Sequence, residues 1–409
     1  MSNKLSAEQA QILDPKTIRE RTKQIYTHAL QGGTHFVVHL DQLDAVVDLV
    51  LEITKKNYPS GTVPVHGRYE HLRAGGIDRV AIIEDAITNL NPIDQSKALF
   101  DLVVASVLLD AGAGPKWQYT DKDGNSYSRS EGLAVASFEM FMQGAFSDDP
   151  NHPFQMTAKS LRALKVSDLE KGFQVSKQNP MEGLSGRLGL LNRLADSLEF
   201  YPEYFGDENP RPGHLIDYLI GLASQNPKHN TIEAKDILTA LLVGFSKMWP
   251  ARTTVGDLGL GDTWKYQSDG LEILVPFHKL SQWLTYSLIE PIEVAGLRVT
   301  EISKMTGLPE YRNGGLLLDM GVLTLKDPKI ADTRLEASHP AIIEWRALTV
   351  QILDEIGNRT RKKLGKTEDE LPLACVLQGG TWSAGREVAK KLRADGSPPL
   401  TLESDGTVF

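Results

Sequence analysis

The sequence predicts a mainly α protein: a single large helical globule over residues 1–409 with a few short strands. Three observations carry that expectation. Apolar residues recur at three- and four-residue spacing along most of the chain, as in Leu40, Leu43, Val46, Val47, Val50 and Ile53, which places them on one helix face. Strand signals are confined to short stretches near 264–275 and 322–326. No internal repeat, low-complexity tract or flexible linker divides the 409 residues, which suffice to bury a large core.

The elements follow in order. A helix is expected over 15–31 with Asp14 as its cap, then one through Leu40–Ile53 that breaks at 57–61. The stretch VPVHGRYEHLRAGGIDR reads as a loop rich in His and Arg. A long helical stretch over 81–111 is interrupted near Asn91-Pro92, and a loop or short hairpin follows with Lys122-Asp123-Gly124-Asn125 as its turn. Ser128-Arg129-Ser130-Glu131 reads as a capping box opening a helix. Helices are expected over 158–172, after the glycines of 181–200, after 209–213, over 232–245, and over 339–364 with its basic residues late, as the helix dipole favours. The glycine-punctuated tail holds one further helix.

Composition narrows function. With 53 acidic against 44 basic residues the net charge is −9 and no dense basic run occurs, which argues against a dedicated nucleic-acid binder while allowing a small phosphate pocket. Cys375 is the only cysteine, so an intrachain disulfide and a cysteine-based zinc knuckle are excluded. Its setting in LPLACVL reads as core. The amino terminus lacks the apolar core of a secretory signal, and no window reaches the roughly 18–20 apolar residues of a membrane span. A cytoplasmic setting is the expectation.

Chemistry concentrates between Pro276 and Leu323. Lys279, Gln282, Trp283 and Tyr286 fall at helical spacing on one face, while Phe277, Leu280, Leu284 and Leu288 form a separate apolar stripe. Glu310, Tyr311, Arg312 and Asn313 stand directly before a greasy run, where charged groups are costly to bury unless paired or used. Glu310 can polarise a water or stabilise a developing cation, and Arg312 or Lys279 can hold an anion. The same residues read equally as a helix start with a structural ion pair.

Three further segments are candidates. His66, Arg68, Glu70, His71, Arg73 and Arg79 can bind phosphate or carboxylate, or form a solvated loop. His66 and His71 are five apart, unlike a helical zinc pair, and no complete metal-ligand signature occurs, so no metal and no cofactor is expected. Around Asp110, the loop glycines can let a backbone approach a ligand, with Trp117 and Tyr119 stacking on a planar group; one buried tryptophan explains the loop as well. Gly379-Gly380-Thr381-Trp382 and Arg386 read as a glycine-rich turn offering N–H groups to an anion, or as an ordinary helix start.

Taken together, PVHGRYEHLRAGGIDR, LLDAGAGPKWQY, PFHKLSQWLTYSLIEPIE, LPEYRNGGLLLDMGVL, GGTWSAGRE and the terminal SDGTVF resemble the uracil-catabolism protein 4 family, end to end from about residue 15. The resemblance implies a pathway that converts uracil through its ribonucleotide to urea and a three-carbon fragment. It also implies a cyclohydrolase-like pathway partner acting in ring opening. A weaker similarity to the queuosine-salvage N-glycosidases implies a DNA-glycosylase-like helical fold and cleavage of an N-glycosidic bond. On that match Asp110 and Trp117 lie in the base pocket and Glu310 takes the place of a catalytic aspartate. Asp110 or Tyr311 would donate a proton, and Lys279, Arg312 and Arg68 would hold a 5′-phosphate. Trp117 and Trp283 would exclude water. The expected activity is a metal-independent hydrolysis of ribosylurea or its 5′-phosphate. The rivals are an amidohydrolase-like step on a ring-opened ureido intermediate, and a non-catalytic subunit that channels it from the partner.

Overall fold

Caps and prolines start the helices where the sequence places them. The computed structural model describes residues 5–114, 116–226, 230–250, 252–268 and 270–403, so the SDGTVF motif at 404–409 lies outside the described residues. After α1 (Ala7–Leu13), α2 (Pro15–Leu30) begins at Asp14, whose carboxylate accepts the Lys16 N–H, with Pro15 in the first turn. Such a cap is worth about 1 kcal/mol. α3 (Leu43–Asn57) buries the apolar series that the spacing marked.

The stretch expected to be loop instead folds α4 (Arg68–Leu72) and a 3-10 turn at Ala74–Gly76. Burial of Arg68, Tyr69, His71 and Leu72 fixes this turn of helix, which is too short for periodicity to reveal. The 81–111 stretch divides as α5 (Arg79–Ala86) and α6 (Pro92–Leu108), with Asn91 accepting the Asp94 N–H. A two-stranded hairpin pairs Tyr119–Thr120 with Ser126–Tyr127 and leads into α7 (Arg129–Met142). The expected capping box does not form there. Arg129 adopts φ 56°, Ser128 makes no side-chain cap bond, and Ser130 and Glu131 turn instead to Asp110 and Arg386.

The expected 158–172 helix is split into α8 (Ala158–Ala163) and α9 (Val166–Gly172) by extended backbone at Leu164 and Lys165. α10 (Leu184–Phe200), α11 (Pro202–Phe205), α12 (Leu215–Ser224) and α13 (Ala234–Gly244) follow. The hairpin Thr263–Ser268 with Leu271–Pro276 feeds α14 (Lys279–Ser287) and α15 (Ile289–Val294). Then come α16 (Tyr311–Asp319), α17 (Pro340–Leu364), α18 (Leu373–Val376) and α19 (Trp382–Leu392). Every sheet among the described residues is a strand pair, so the fold is mainly α.

α17 is the long strut. Pro340 opens it, Arg361, Lys362 and Lys363 fill its last turn, and Gly365 closes it at φ 64°. A continuous hydrophobic cluster runs from Ile12 to Leu400, and a second joins α2, the 263–276 hairpin and α17 through Ile18, Trp264, Phe277 and Ile343. The tail departs from expectation. Leu377–Thr381 forms a π turn that joins α18 to α19, so Gly379 and Gly380 lie inside a helical run. A Cβ on Gly380 would come within 2.6 Å of the Val50 carbonyl oxygen. These glycines serve close packing on α3, and their N–H groups do not form the expected anion-binding turn. No described helix is long and apolar enough to cross a membrane.

Candidate functional site

The hairpin and α17 fix the start of α14. His278 turns the chain at φ 47°, and the Asp262 carboxylate accepts the Lys279 N–H at 3.0 Å and the Trp264 indole N–H at 2.7 Å. Both oxygens also take the Arg346 guanidinium, each at 2.7 Å. Burial opposes ionisation of Asp262, but the Arg346 ion pair and these bonds overcome it and bring its pKa down to about 2. Lys279 therefore projects from a locked turn.

The face expected to carry four site residues divides in two. The Gln282 amide is fully buried, donates to the Phe277 carbonyl and the Thr306 hydroxyl, and accepts from the Thr306 N–H and hydroxyl. The Tyr286 hydroxyl donates to the Thr306 carbonyl. Gln282 thus staples α14 to the 305–308 loop, with both ends of its amide bonded within the protein. Lys279, Trp283 and Ser287, spaced by four, face the other way, where Ser287 accepts the Arg68 N–H.

α16 starts at Glu310, whose carboxylate accepts the N–H groups of Arg312 at 2.7 Å and Asn313 at 2.6 Å. Burial raises its pKa, while those two N–H groups and then Lys279 oppose the rise. Asn313 is fully buried, donates to the Leu308 carbonyl and accepts from the Thr381 hydroxyl. It ties α16 to the π turn. Arg312 donates to the Gly396 carbonyl and lies 4.7 Å over the Tyr311 ring, with its Nε buried and unpartnered. A Cβ on Gly385 would collide with the Arg312 carbonyl, so α19 packs directly on α16.

The four candidate segments converge. Arg68, fully buried, bonds Ser106 through Nε and stands 3.1 Å from Asp110 through Nη1. Its guanidinium lies 5.7 Å over Trp283. Burial raises the Asp110 pKa against the opposing charges of Arg68 and Lys279. Lys279 has its pKa lowered by burial, with Glu310 and Asp110 opposing. No described carboxylate ion-pairs with Lys279 within 4.0 Å, so one ammonium serves two carboxylates at a distance. His66 and His71 stand between the Trp283 and Trp382 rings at 5.7–6.4 Å. Burial drops the His66 pKa to about 4 although Gln378 accepts from Nδ1 at 2.7 Å, so the ring is neutral near pH 7. Arg386 lies over Trp382 and pairs with Glu131. Tyr311, half-buried, has its phenol pKa raised by burial and feels both Glu310 and Asp110.

The family model described as "Protein of unknown function (DUF1688)" matches residues 11–409. The chain belongs to this family. It is 41% identical to Uracil catabolism protein 4 of Lachancea kluyveri over 96% of this chain and 97% of that protein. It is 36% identical to Protein urg3 of Schizosaccharomyces pombe over 98% of each. The family expected from the motifs is therefore the one found, and the matched span contains every site segment described above.

Trp117 takes the second of its two expected roles, that of a buried anchor of the loop. Its ring is 1% exposed, its N–H bonds the Phe173 carbonyl at 2.8 Å, and it packs edge-on against Phe173. It supports the site from behind, lying against Gly132 beside Glu131. Several contributors escaped sequence reading. Arg187 fans out to the carbonyls of Leu109, Ala111 and Glu182 and so fixes the Asp110 loop. Gln378 holds His66 and also donates to the Tyr58 hydroxyl. Arg129 bonds the Asp395 carbonyl beside the Gly396 carbonyl that Arg312 takes, with its Nη1 buried and unpartnered. These pairings span long sequence separations and leave no local signal. Among the described residues no group of three or more His, Cys, Asp or Glu is arranged to hold a metal ion. A separate groove of about 560 Å³, lined by Asp148, His152, Lys159 and Glu208 among others, shares no residue with the cluster.

Proposed function

We propose that this protein acts in uracil catabolism as an N-glycoside hydrolase that cleaves ribosylurea, or its 5′-phosphate, to urea and ribose or ribose 5-phosphate. The name of the Lachancea kluyveri relative supports the pathway. The observation that carries the chemistry is the pair of buried carboxylates, Glu310 and Asp110, set around the unpaired Lys279 ammonium beside Trp283.

Breaking the bond between the anomeric carbon and nitrogen sends both electrons to nitrogen and leaves positive charge on the sugar. Glu310, held rigid by two backbone N–H groups, supplies a fixed negative charge for that cation. The Tyr311 phenol, which burial keeps protonated beside Glu310 and Asp110, donates its proton to the departing urea nitrogen. Water then adds to the anomeric carbon, its hydroxyl forming the new C–O bond and its proton restoring Tyr311. Arg312 and Arg129, joined at the 395–396 turn, form a cationic corner suited to a 5′-phosphate.

One observation favours a second reading. Glu310 is already a complete helix cap, which accounts for a buried carboxylate without catalysis. The protein would then hold a ring-opened intermediate for a cyclohydrolase-like partner. Incubation with ribosylurea 5′-phosphate separates the readings: hydrolysis yields urea and ribose 5-phosphate in equal amounts. Binding with neither product supports the carrier role, and ammonia release points to an amidohydrolase-like step.

A further inference from the structure

We infer that Arg68, His71, Asp110 and Trp283 form a recognition pocket for an open-chain ureido group, R–NH–CO–NH₂, and discriminate it from an intact pyrimidine ring. This rests on the proposed reading of the site and deepens it by assigning the leaving-group end of the substrate.

The inference starts from polar atoms that the fold buries without a partner. Arg68 Nη1 and Nη2, His71 Nδ1, Asp110 Oδ1 and Trp283 Nε1 are each buried with no aligned hydrogen bond from any described residue. The 3.1 Å approach of Arg68 Nη1 to Asp110 Oδ2 is an ion pair out of hydrogen-bond alignment. Ser130 also favours the Asp110 carboxylate without satisfying Oδ1. Arg68 is 0% exposed, Trp283 7% and His71 8%. Leaving such groups unsatisfied is costly, so several on neighbouring residues signal a bound partner.

The atoms belong to one place. The Arg68 guanidinium lies 5.7 Å over the Trp283 ring, and the His71 ring stands edge-on to Trp283 at 6.0 Å. Burial holds the His71 pKa well down, with Arg68, His66 and Arg386 adding to the effect, so its ring is neutral. A neutral ring protonated at Nε2 presents Nδ1 as an acceptor. Two donor groups, Arg68 Nη and Trp283 Nε1–H, then stand beside two acceptors, Asp110 Oδ1 and His71 Nδ1.

A monosubstituted urea matches this set. Its carbonyl oxygen accepts from Arg68 and Trp283, and its N–H groups donate to Asp110 and His71. A pyrimidine linked through its ring nitrogen carries no hydrogen on that nitrogen, so it leaves an acceptor of the pocket unpaired. A site built to bond an N–H rejects analogues lacking it far more strongly than an apolar pocket rejects a misfit.

The test measures binding alone, with carbocyclic probes in which CH₂ replaces the ring oxygen so that no glycosidic bond exists to hydrolyse. Wild-type protein and Trp283→Phe are titrated calorimetrically with the carbocyclic ureido 5′-phosphate, the carbocyclic uridine 5′-phosphate and the carbocyclic sugar phosphate bearing no ureide. Wild type is expected to prefer the ureido probe to the intact-ring probe by at least tenfold, and Trp283→Phe to weaken the ureido probe about tenfold while leaving the plain sugar phosphate unchanged. His71→Ala is expected to narrow the ureido-over-ring preference, giving a second readout should Trp283→Phe fold poorly. Equal affinity for ureido and ring probes in wild type, or equal weakening of all three in both variants, overturns the inference. Failure of wild type to release urea from ribosylurea 5′-phosphate, with the ureido preference intact, overturns the hydrolase reading and leaves the pocket standing.

Discussion

Replacing Asp262 with Asn is a sharp probe of how the fold holds the site. Arg346 is 1% exposed and its two terminal nitrogens each lie 2.7 Å from an Asp262 oxygen. Asn keeps the shape but removes the carboxylate charge from a buried ion pair; breaking such a pair costs about 3–5 kcal/mol. The pH dependence follows independently. The Asp262 pKa falls from 3.8 in the unfolded chain to about 2 in the fold. The native state therefore holds fewer protons than the unfolded one in this window, so this contribution is complete above about pH 4 and drains away as pH falls through 2. At roughly 1.4 kcal/mol per pH unit the gap amounts to about 2–3 kcal/mol. Urea denaturation followed by tryptophan fluorescence, at pH 7 and at pH 3, measures both quantities. Asp262→Asn is expected to lose about 3–5 kcal/mol at pH 7 and to fall less steeply than wild type on acidification. A loss under about 1 kcal/mol at pH 7, or acid limbs of equal slope, refutes the reasoning.

Other outcomes follow from the same contacts. Gln282→Ala leaves the Thr306 N–H without its acceptor and is expected to cost about 1–3 kcal/mol of stability by chemical denaturation, with ligand affinity held. Gly385→Ala forces α19 off the Arg312 carbonyl and is expected to lower the melting temperature by several degrees and to weaken phosphate-bearing ligands together. His66 titrates at about 4 in the fold and 6.5 in the unfolded chain, so it contributes stability that is present above pH 6.5 and is lost as pH falls towards 4. His66→Gln is expected to flatten that limb in a pH series of denaturation curves.

The helical class was legible because it rests on local chemistry. Asp14 caps where expected, the interruption expected at Asn91-Pro92 is the start of α6, Pro15 and Pro340 open helices, and the apolar spacing of 43–53 is the buried face of α3. Failures came where tertiary contacts outvoted local pattern. Arg129 at φ 56° removes a capping box that the sequence spells correctly, and Gly379-Gly380 spell an anion-binding turn but answer to the crowding of α3. The candidate site was half legible. Residue type alone marked Glu310, Asp110, Arg68, Lys279 and Trp283 as unusual in their settings, and these do assemble. Type could not say that Gln282 and Asn313 have every polar end bonded within the protein, because their partners, Thr306 and Thr381, are 24 and 68 residues away. The same distance hid Arg187 and Gln378, which position Asp110 and His66 from the far side of the fold.

The central claim is that the Glu310 charge acts on the reacting sugar and is not merely a helix cap. Glu310→Gln preserves the volume and one cap acceptor while removing the charge. The deciding measurement is the single-turnover rate of urea release from ribosylurea 5′-phosphate, with far-UV circular dichroism and ligand affinity taken on the same preparations. The account predicts a rate lower by about 10²–10³-fold with affinity changed only a few-fold. A rate within threefold of wild type contradicts it and leaves Glu310 as a structural cap.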